Sequence, residues 1–191
     1  MKARRVFIKV GCFYIFLSAV LSFQQVSGWL MFHPPAPGYT WDCPGIEHFK
    51  SAKLDLAGLA LKHPSAEKVI LFFHGNAEDV WDRKAMLQSL YDSGFSVLSL
   101  DYPGYGLSEG HPTEKSVYAS ADTAYRYVRE NWKVAPSNIV VVGSSIGSGP
   151  ACYLAEKNLD VGGLVLQSGF TTPYRTITRI RAVPVEPFPN I

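Results

Sequence analysis

Three short stretches hold residue types that could do chemistry together. The first is Gly143-Ser144-Ser145-Ile146-Gly147, preceded by the apolar run Ile139-Val140-Val141-Val142. A serine set between two glycines, where a strand breaks into a helix, sits on a tight turn that pushes its hydroxyl out of the sheet. That suits attack on an acyl carbonyl, with Ser145 as the nucleophile. Side chains at Gly143 and Gly147 would collide with the neighbouring strand and helix. Attack creates an oxyanion, which needs N–H donors aimed at it. The N–H of Ile146, the residue after the nucleophile, is one candidate. The second stretch, His74-Gly75-Asn76, ends another apolar run and offers Asn76 as the second donor. His74 and Gly75 read as support for that loop, with His74 a hydrogen-bonder that orients it rather than a base. The third stretch is the turn-rich Asp101-Tyr102-Pro103-Gly104-Tyr105-Gly106.

These residues need elements to hold them. Val69-Ile70-Leu71-Phe72-Phe73, Phe95-Ser96-Val97-Leu98-Ser99-Leu100 and residues 139–142 are mostly continuous apolar runs. Such runs mark strands buried on both faces of a parallel sheet. Residues 77–93 carry Val80, Met86, Leu87, Leu90 and Tyr91 at helical spacing, with Gly94 as a stop. Val117, Ala121, Ala124, Tyr125, Val128 and Trp132 mark an amphipathic helix. Residues 148–157 read as the helix behind the serine, with Cys152 on it as a small buried hydrophobe. Residues 162–167 read as a last strand. Upstream, the alternation over 46–61 predicts one or two half-exposed strands. Residues 29–44, with Pro34, Pro35 and Pro37, predict an extended lead-in. Residues 171–191 show no period, and Pro184, Pro187 and Pro189 predict loop. Strands alternating with helices imply an α/β fold with a mostly parallel sheet covered on both faces. Ligands in such sheets bind beyond the carboxyl ends of the strands. All three stretches fall there.

The same motifs in the same order resemble the α/β-hydrolase fold, and within it the Bem46-like, ABHD13/ABHD17-like serine hydrolases. The resemblance rests on His74-Gly75-Asn76-Ala77, on residues 101–110 and on Gly143 to Gly147, and runs from about Ile46 to Ile191. It implies cleavage of carboxylic esters or thioesters through an acyl-enzyme on Ser145, with lipid or acyl-protein substrates. It implies no metal and no organic cofactor. A serine aminopeptidase-like peptidase is the alternative within the same fold. Triad order in this fold is serine, then acid, then histidine. Here all five histidines precede Ser145, the last being His111, and after Asp160 the only acid is Glu186. The sequence therefore reads as the amino-terminal part of a hydrolase, with the strands bearing the triad acid and histidine not included. A hydrolase-like binding module without a triad, or a degenerate product without a stable fold, are the competing readings. His111 reads as a solvated loop histidine, and Glu186 has no histidine to orient.

Charge and hydropathy give the chain an address. Lys2, Arg4, Arg5 and Lys9 precede an apolar stretch over 10–23, and no acid occurs before Asp42. A basic start followed by a short apolar run predicts a signal peptide or an amino-terminal membrane anchor over 1–28. The chain is then membrane-anchored or exported, with a lead-in at 29–45 and one hydrolase domain from 46. The four leader basics are among 18 Lys+Arg against 16 Asp+Glu in 191 residues, so the body is slightly acidic. Nucleic-acid binding has no electrostatic support there. Cys12 lies in the leader, and the distant Cys43 and Cys152 give neither a disulfide framework nor metal-ligand spacing. Oligomeric state is not readable from these features.

Overall fold

Val69–Phe73 (β3) carries no polar side chain, and all five residues are buried. A strand like this is stable only with neighbours on both edges and helices on both faces. In the computed structural model, which describes residues 31–169, it has both. Residues 1–30 and 170–191 lie outside the described residues, and with them the leader over 1–28 and the proline-rich tail. The chain divides into a unit of residues 1–33 and a unit of residues 34–191, and the fold below belongs to the second. Among the described residues no helix is long and apolar enough to cross a membrane.

The element order is β1 (Ile46–Ser51), β2 (Leu54–Leu61), β3, α1 (Lys84–Asp92), β4 (Ser96–Leu100), α2 (Glu114–Glu130), β5 (Ile139–Ser144), α3 (Ser148–Lys157) and β6 (Gly163–Gln167). The six strands form one mixed sheet in the order β1-β2-β4-β3-β5-β6. β1 and β2 pair antiparallel, as do β2 and β4. β3, β4, β5 and β6 run parallel.

That order fixes where a site can form. The chain steps from β3 to β4 on one side, then returns across β3 to reach β5. Crossovers between parallel strands keep one hand, so reversing direction moves the next helix to the opposite face. α1 accordingly packs on β4 and β2, while α2 packs on β1, β3, β4 and α3. On the α1 face, Ile70 and Phe72 of β3 join Tyr39, Ala57, Leu59, Val80, Leu87 and Val97 in a buried cluster. The reversal opens a crevice between the carboxyl ends of β3 and β5, the switch point where open α/β sheets bind ligands.

Four expectations change. The helix expected over 77–93 begins only at Lys84. Asp79 Oδ1 accepts from Trp81 N at 2.9 Å and Asp82 N at 3.1 Å, and Asp82 Oδ2 accepts from Asp79 N at 3.0 Å. These local side-chain bonds hold the backbone in turns in place of a helical ladder. β2 is buried at 56–60 rather than half-exposed, because it has a strand on each edge. Among the described residues β6 is not covered as a doubly wound strand would be: Leu164, Val165 and Leu166 are 41–51% exposed. Cys152 is exposed, because Ala151 and Leu154 form the buried side of α3 and Cys152 points away from it.

Candidate active site

Ser145 stands at the end of β5 with φ 51, a left-handed backbone that a non-glycine residue adopts only under constraint. One 3₁₀ turn, Ser145–Gly147, joins it to α3. Ser148 Oγ donates to Ser145 O at 2.6 Å and ties the turn to the helix start. The flanking glycines are held by sterics. A Cβ on Gly143 would lie 2.7 Å from Ala151 Cβ, and one on Gly147 would lie 2.7 Å from His74 O and closer still to Phe73 O. Gly147 thus lets the elbow close against the end of β3. Ser145 is half-buried, and Ile146 is buried behind it.

β3 ends in His74-Gly75-Asn76 on the other side of the crevice. A Cβ on Gly75 would come 3.6 Å from Ser145 Cβ, so this loop and Ser145 face each other directly. Gly75 N donates to Glu78 Oε1 at 2.5 Å, and Glu78 Oε2 pairs with Arg83 Nη2 at 2.6 Å. Tyr105 Oη donates to Asn76 Oδ1 at 2.7 Å. Ala77 has φ 55, which turns the chain away after Asn76.

His74 is fully buried beneath this loop. Its Nδ1 donates to Gly75 O at 2.9 Å. Its Nε2 lies 3.2 Å from Asp101 Oδ1, without hydrogen-bond alignment. Its ring packs on Tyr102 and Tyr105, and Tyr102 Oη donates to His74 O at 2.7 Å. Burial drives the Tyr102 phenol well above its ordinary pKa, so it stays a donor. Asp101, also fully buried, accepts from Val80 N at 2.9 Å. The crevice thus gathers Ser145, Ile146, Gly143, Gly147, His74, Gly75 and Asn76. His111 is exposed in the loop leading into α2. Glu186 lies outside the described residues. Among the described residues, no group of three or more His, Cys, Asp or Glu is placed to hold a metal ion.

Sequence reasoning missed the Glu78–Arg83 pair and the two tyrosines that clamp the loop. Glu78 stands three residues after Gly75, a spacing at which a side chain can cap a turn N–H. Tyr102 and Tyr105 were visible as parts of a motif, but their partners lie about 28 positions away.

A serine on a strained strand-to-helix turn, at the switch point of a mixed sheet, defines an α/β-hydrolase architecture. Residues 68–182 match the alpha/beta hydrolase fold family, and the chain belongs to it. Human alpha/beta hydrolase domain-containing protein 17B is 34% identical over 113 residues, which cover 59% of this chain and 39% of that protein. Mouse alpha/beta hydrolase domain-containing protein 17C is 39% identical over 95 residues, covering 49% of this chain and 30% of that one. The matches therefore span at most about two-fifths of these curated relatives. An alpha-beta hydrolase from Vibrio vulnificus superposes with TM-score 0.58 at 25% identity, over 76% of this chain and 53% of that one. The Pyrococcus furiosus esterase Pf2001 superposes with TM-score 0.60 over 76% and 59% of the two chains, at 19% identity, a likeness of fold alone.

Proposed function

We propose that this chain carries the nucleophile and oxyanion half of a serine hydrolase that cleaves carboxylic esters or thioesters. The observation that carries this reading is the left-handed Ser145 at the end of β5, set against the Gly75–Asn76 loop across the switch point. Ser145 Oγ attacks the acyl carbon, and its proton passes to a base. The carbonyl oxygen becomes an oxyanion held by the N–H groups of Ile146 and Asn76. Gly75 N–H already serves Glu78, so within this loop the role falls to Asn76. Collapse breaks the ester or thioester bond, expels the alcohol or thiol and leaves an acyl-serine. Water then attacks, and the acid is released.

The base is a histidine downstream of Ser145, as the resemblance implies, held by an acid that precedes it in the chain. His74 does not suit the role, because it is buried with Nδ1 committed to Gly75 O. The resemblance carried by residues 74–77, 101–110 and 143–147 implies lipid or acyl-protein substrates. The basic and apolar leader over 1–28 would place the enzyme at a membrane or beyond it.

An alkyl fluorophosphonate tests the assignment. In the complete enzyme, downstream base included, intact mass should show one adduct, mapped to Ser145 and lost in Ser145→Ala with its fold retained. In the complete enzyme, Ser145→Ala should abolish ester and thioester turnover. Near-normal turnover in that variant would overturn the assignment. A complete protein that binds acyl ligands but takes no adduct would favour the binding-module reading. Carbonate-resistant membrane association that is lost on removing residues 1–28 would support the anchor.

A further inference from the structure

The lead-in before β1 is tied to the loops after β3 and β4 by polar contacts. Tyr39 is 5% exposed, and its hydroxyl donates to Asp101 Oδ2. Leu107 N donates to the same hydroxyl at 3.4 Å. One residue earlier, Gly38 N donates to Asp79 Oδ2 at 2.7 Å. The opposite oxygen of Asp101 accepts from Val80 N at 2.9 Å and faces His74 Nε2 at 3.2 Å. One carboxylate thus joins the lead-in to both ends of the loop that carries Asn76. Gly106 makes the approach possible, since a Cβ there would fall on Asp101 Oδ2 and within 2.7 Å of Tyr39 Oη. The Tyr39 ring is held separately, stacked on Trp81 with centroids 5.9 Å apart.

We propose that Tyr39 is a positioning residue of the oxyanion hole, acting through Asp101 on residues 74–80, so that the lead-in belongs to the active-site machinery. The proposal rests on the hydrolase reading above for its catalytic meaning. Asp101 sits in a site with no water-facing surface, where each missing partner leaves a lone pair unsatisfied. Without the tyrosine hydroxyl, the carboxylate can turn toward other donors and release Val80 N. The Asn76 amide then loses its fixed direction, and oxyanion stabilisation depends on direction. Burial, reinforced by the Asp101 charge, raises the Tyr39 pKa, so the hydroxyl keeps the proton it donates.

Tyr39→Phe is the test, because it removes one oxygen and leaves the ring on Trp81. Two readouts are taken on the complete enzyme, downstream base included. Backbone hydrogen exchange over residues 74–80 should quicken about tenfold, the size of one lost hydrogen bond to a charged group, while β5 stays within twofold. The limiting rate of fluorophosphonate labelling at Ser145 should fall about tenfold, with half-saturation by the reagent unchanged. Exchange that is unchanged over 74–80, or faster everywhere alike, overturns the proposal. So does undiminished labelling of the variant where the parent chain is labelled. If the complete parent enzyme takes no label, the hydrolase reading fails, and the exchange pattern alone decides whether Tyr39 fixes the loop.

Discussion

Gly147→Ala isolates the close approach of the elbow to β3. Gly147 has φ −62 and ψ −12, a conformation that alanine adopts freely. Backbone strain therefore contributes nothing, and alanine would gain up to about 1 kcal/mol through the unfolded chain. Against this stands a Cβ placed 2.7 Å from His74 O, about 0.7 Å short of ordinary contact, and closer still to Phe73 O. Both obstacles are backbone atoms of a buried strand end and cannot rotate away. Overpacking costs about 1–3 kcal/mol, and two backbone clashes put this site at about 3, a net loss of about 2–3 kcal/mol. In a domain of this size that lowers Tm by roughly 4–12 °C. The strand end must move with its loop, so labelling at Ser145 should fall more than the stability change alone accounts for. Gly149→Ala is the control, one turn position further on. Its Cβ would meet nothing nearer than Tyr118 at 3.8 Å, and it should be neutral or stabilising by up to about 1 kcal/mol. Thermal unfolding by circular dichroism reads both. A Gly147→Ala chain as stable as its parent, or a Gly149→Ala chain equally destabilised, would refute the reasoning.

Glu78→Ala should cost about 1–2 kcal/mol in denaturant unfolding at unchanged m, because Gly75 N–H loses a charged acceptor and the pair with Arg83 is partly solvent-screened. Glu78→Gln keeps an acceptor and should recover most of that loss; equal effects of the two would shift the weight to the ion pair. Burial raises the phenol pKa values of Tyr39, Tyr102 and Tyr118, so the folded chain keeps these protons to higher pH than the unfolded chain does. That stability is fully present below about pH 10 and is lost as pH rises through the folded-state values. Tyr39→Phe should make the alkaline decline shallower, read as Tm against pH, and an unchanged slope would count against the assignment. Ala77, exposed with φ 55, should accept glycine at no cost or with a gain of up to about 1 kcal/mol in thermal unfolding.

The sheet was legible because its strands are apolar runs: Val69 to Phe73 is buried on both faces, Ile139 to Val142 is buried at Ile139 and Val141 and half-buried at Val140 and Val142, and α3 matches the expected 148–157. The crevice was legible because both glycine-flanked turns follow such strands. What stayed hidden depends on partners far away in sequence. Asp79 reads as one more polar residue of a helical stretch until its carboxylate is seen taking three backbone N–H groups, one of them from Gly38. Tyr39, in a proline-rich lead-in, meets Asp101 62 positions later. Cys152 misled because helical periodicity over ten residues does not settle which neighbour of Ala151 faces the sheet. The exposed face of β6 could not be read from Gly163–Gln167, since an apolar strand looks the same whether or not something covers it.

The strand order also sets a timetable for synthesis. β3 pairs with β4 soon after both have formed, but its other edge waits for β5, with Val69 opposite Ile139. At about 5–20 residues per second, that partner follows roughly 4–14 s later. Until then an all-apolar strand presents an open edge, the kind of template on which nascent chains pair wrongly. The two halves of the crevice come together only when β5 closes that edge. The step that protects the growing chain from aggregation is therefore the same step that brings Ser145 against the Gly75–Asn76 loop.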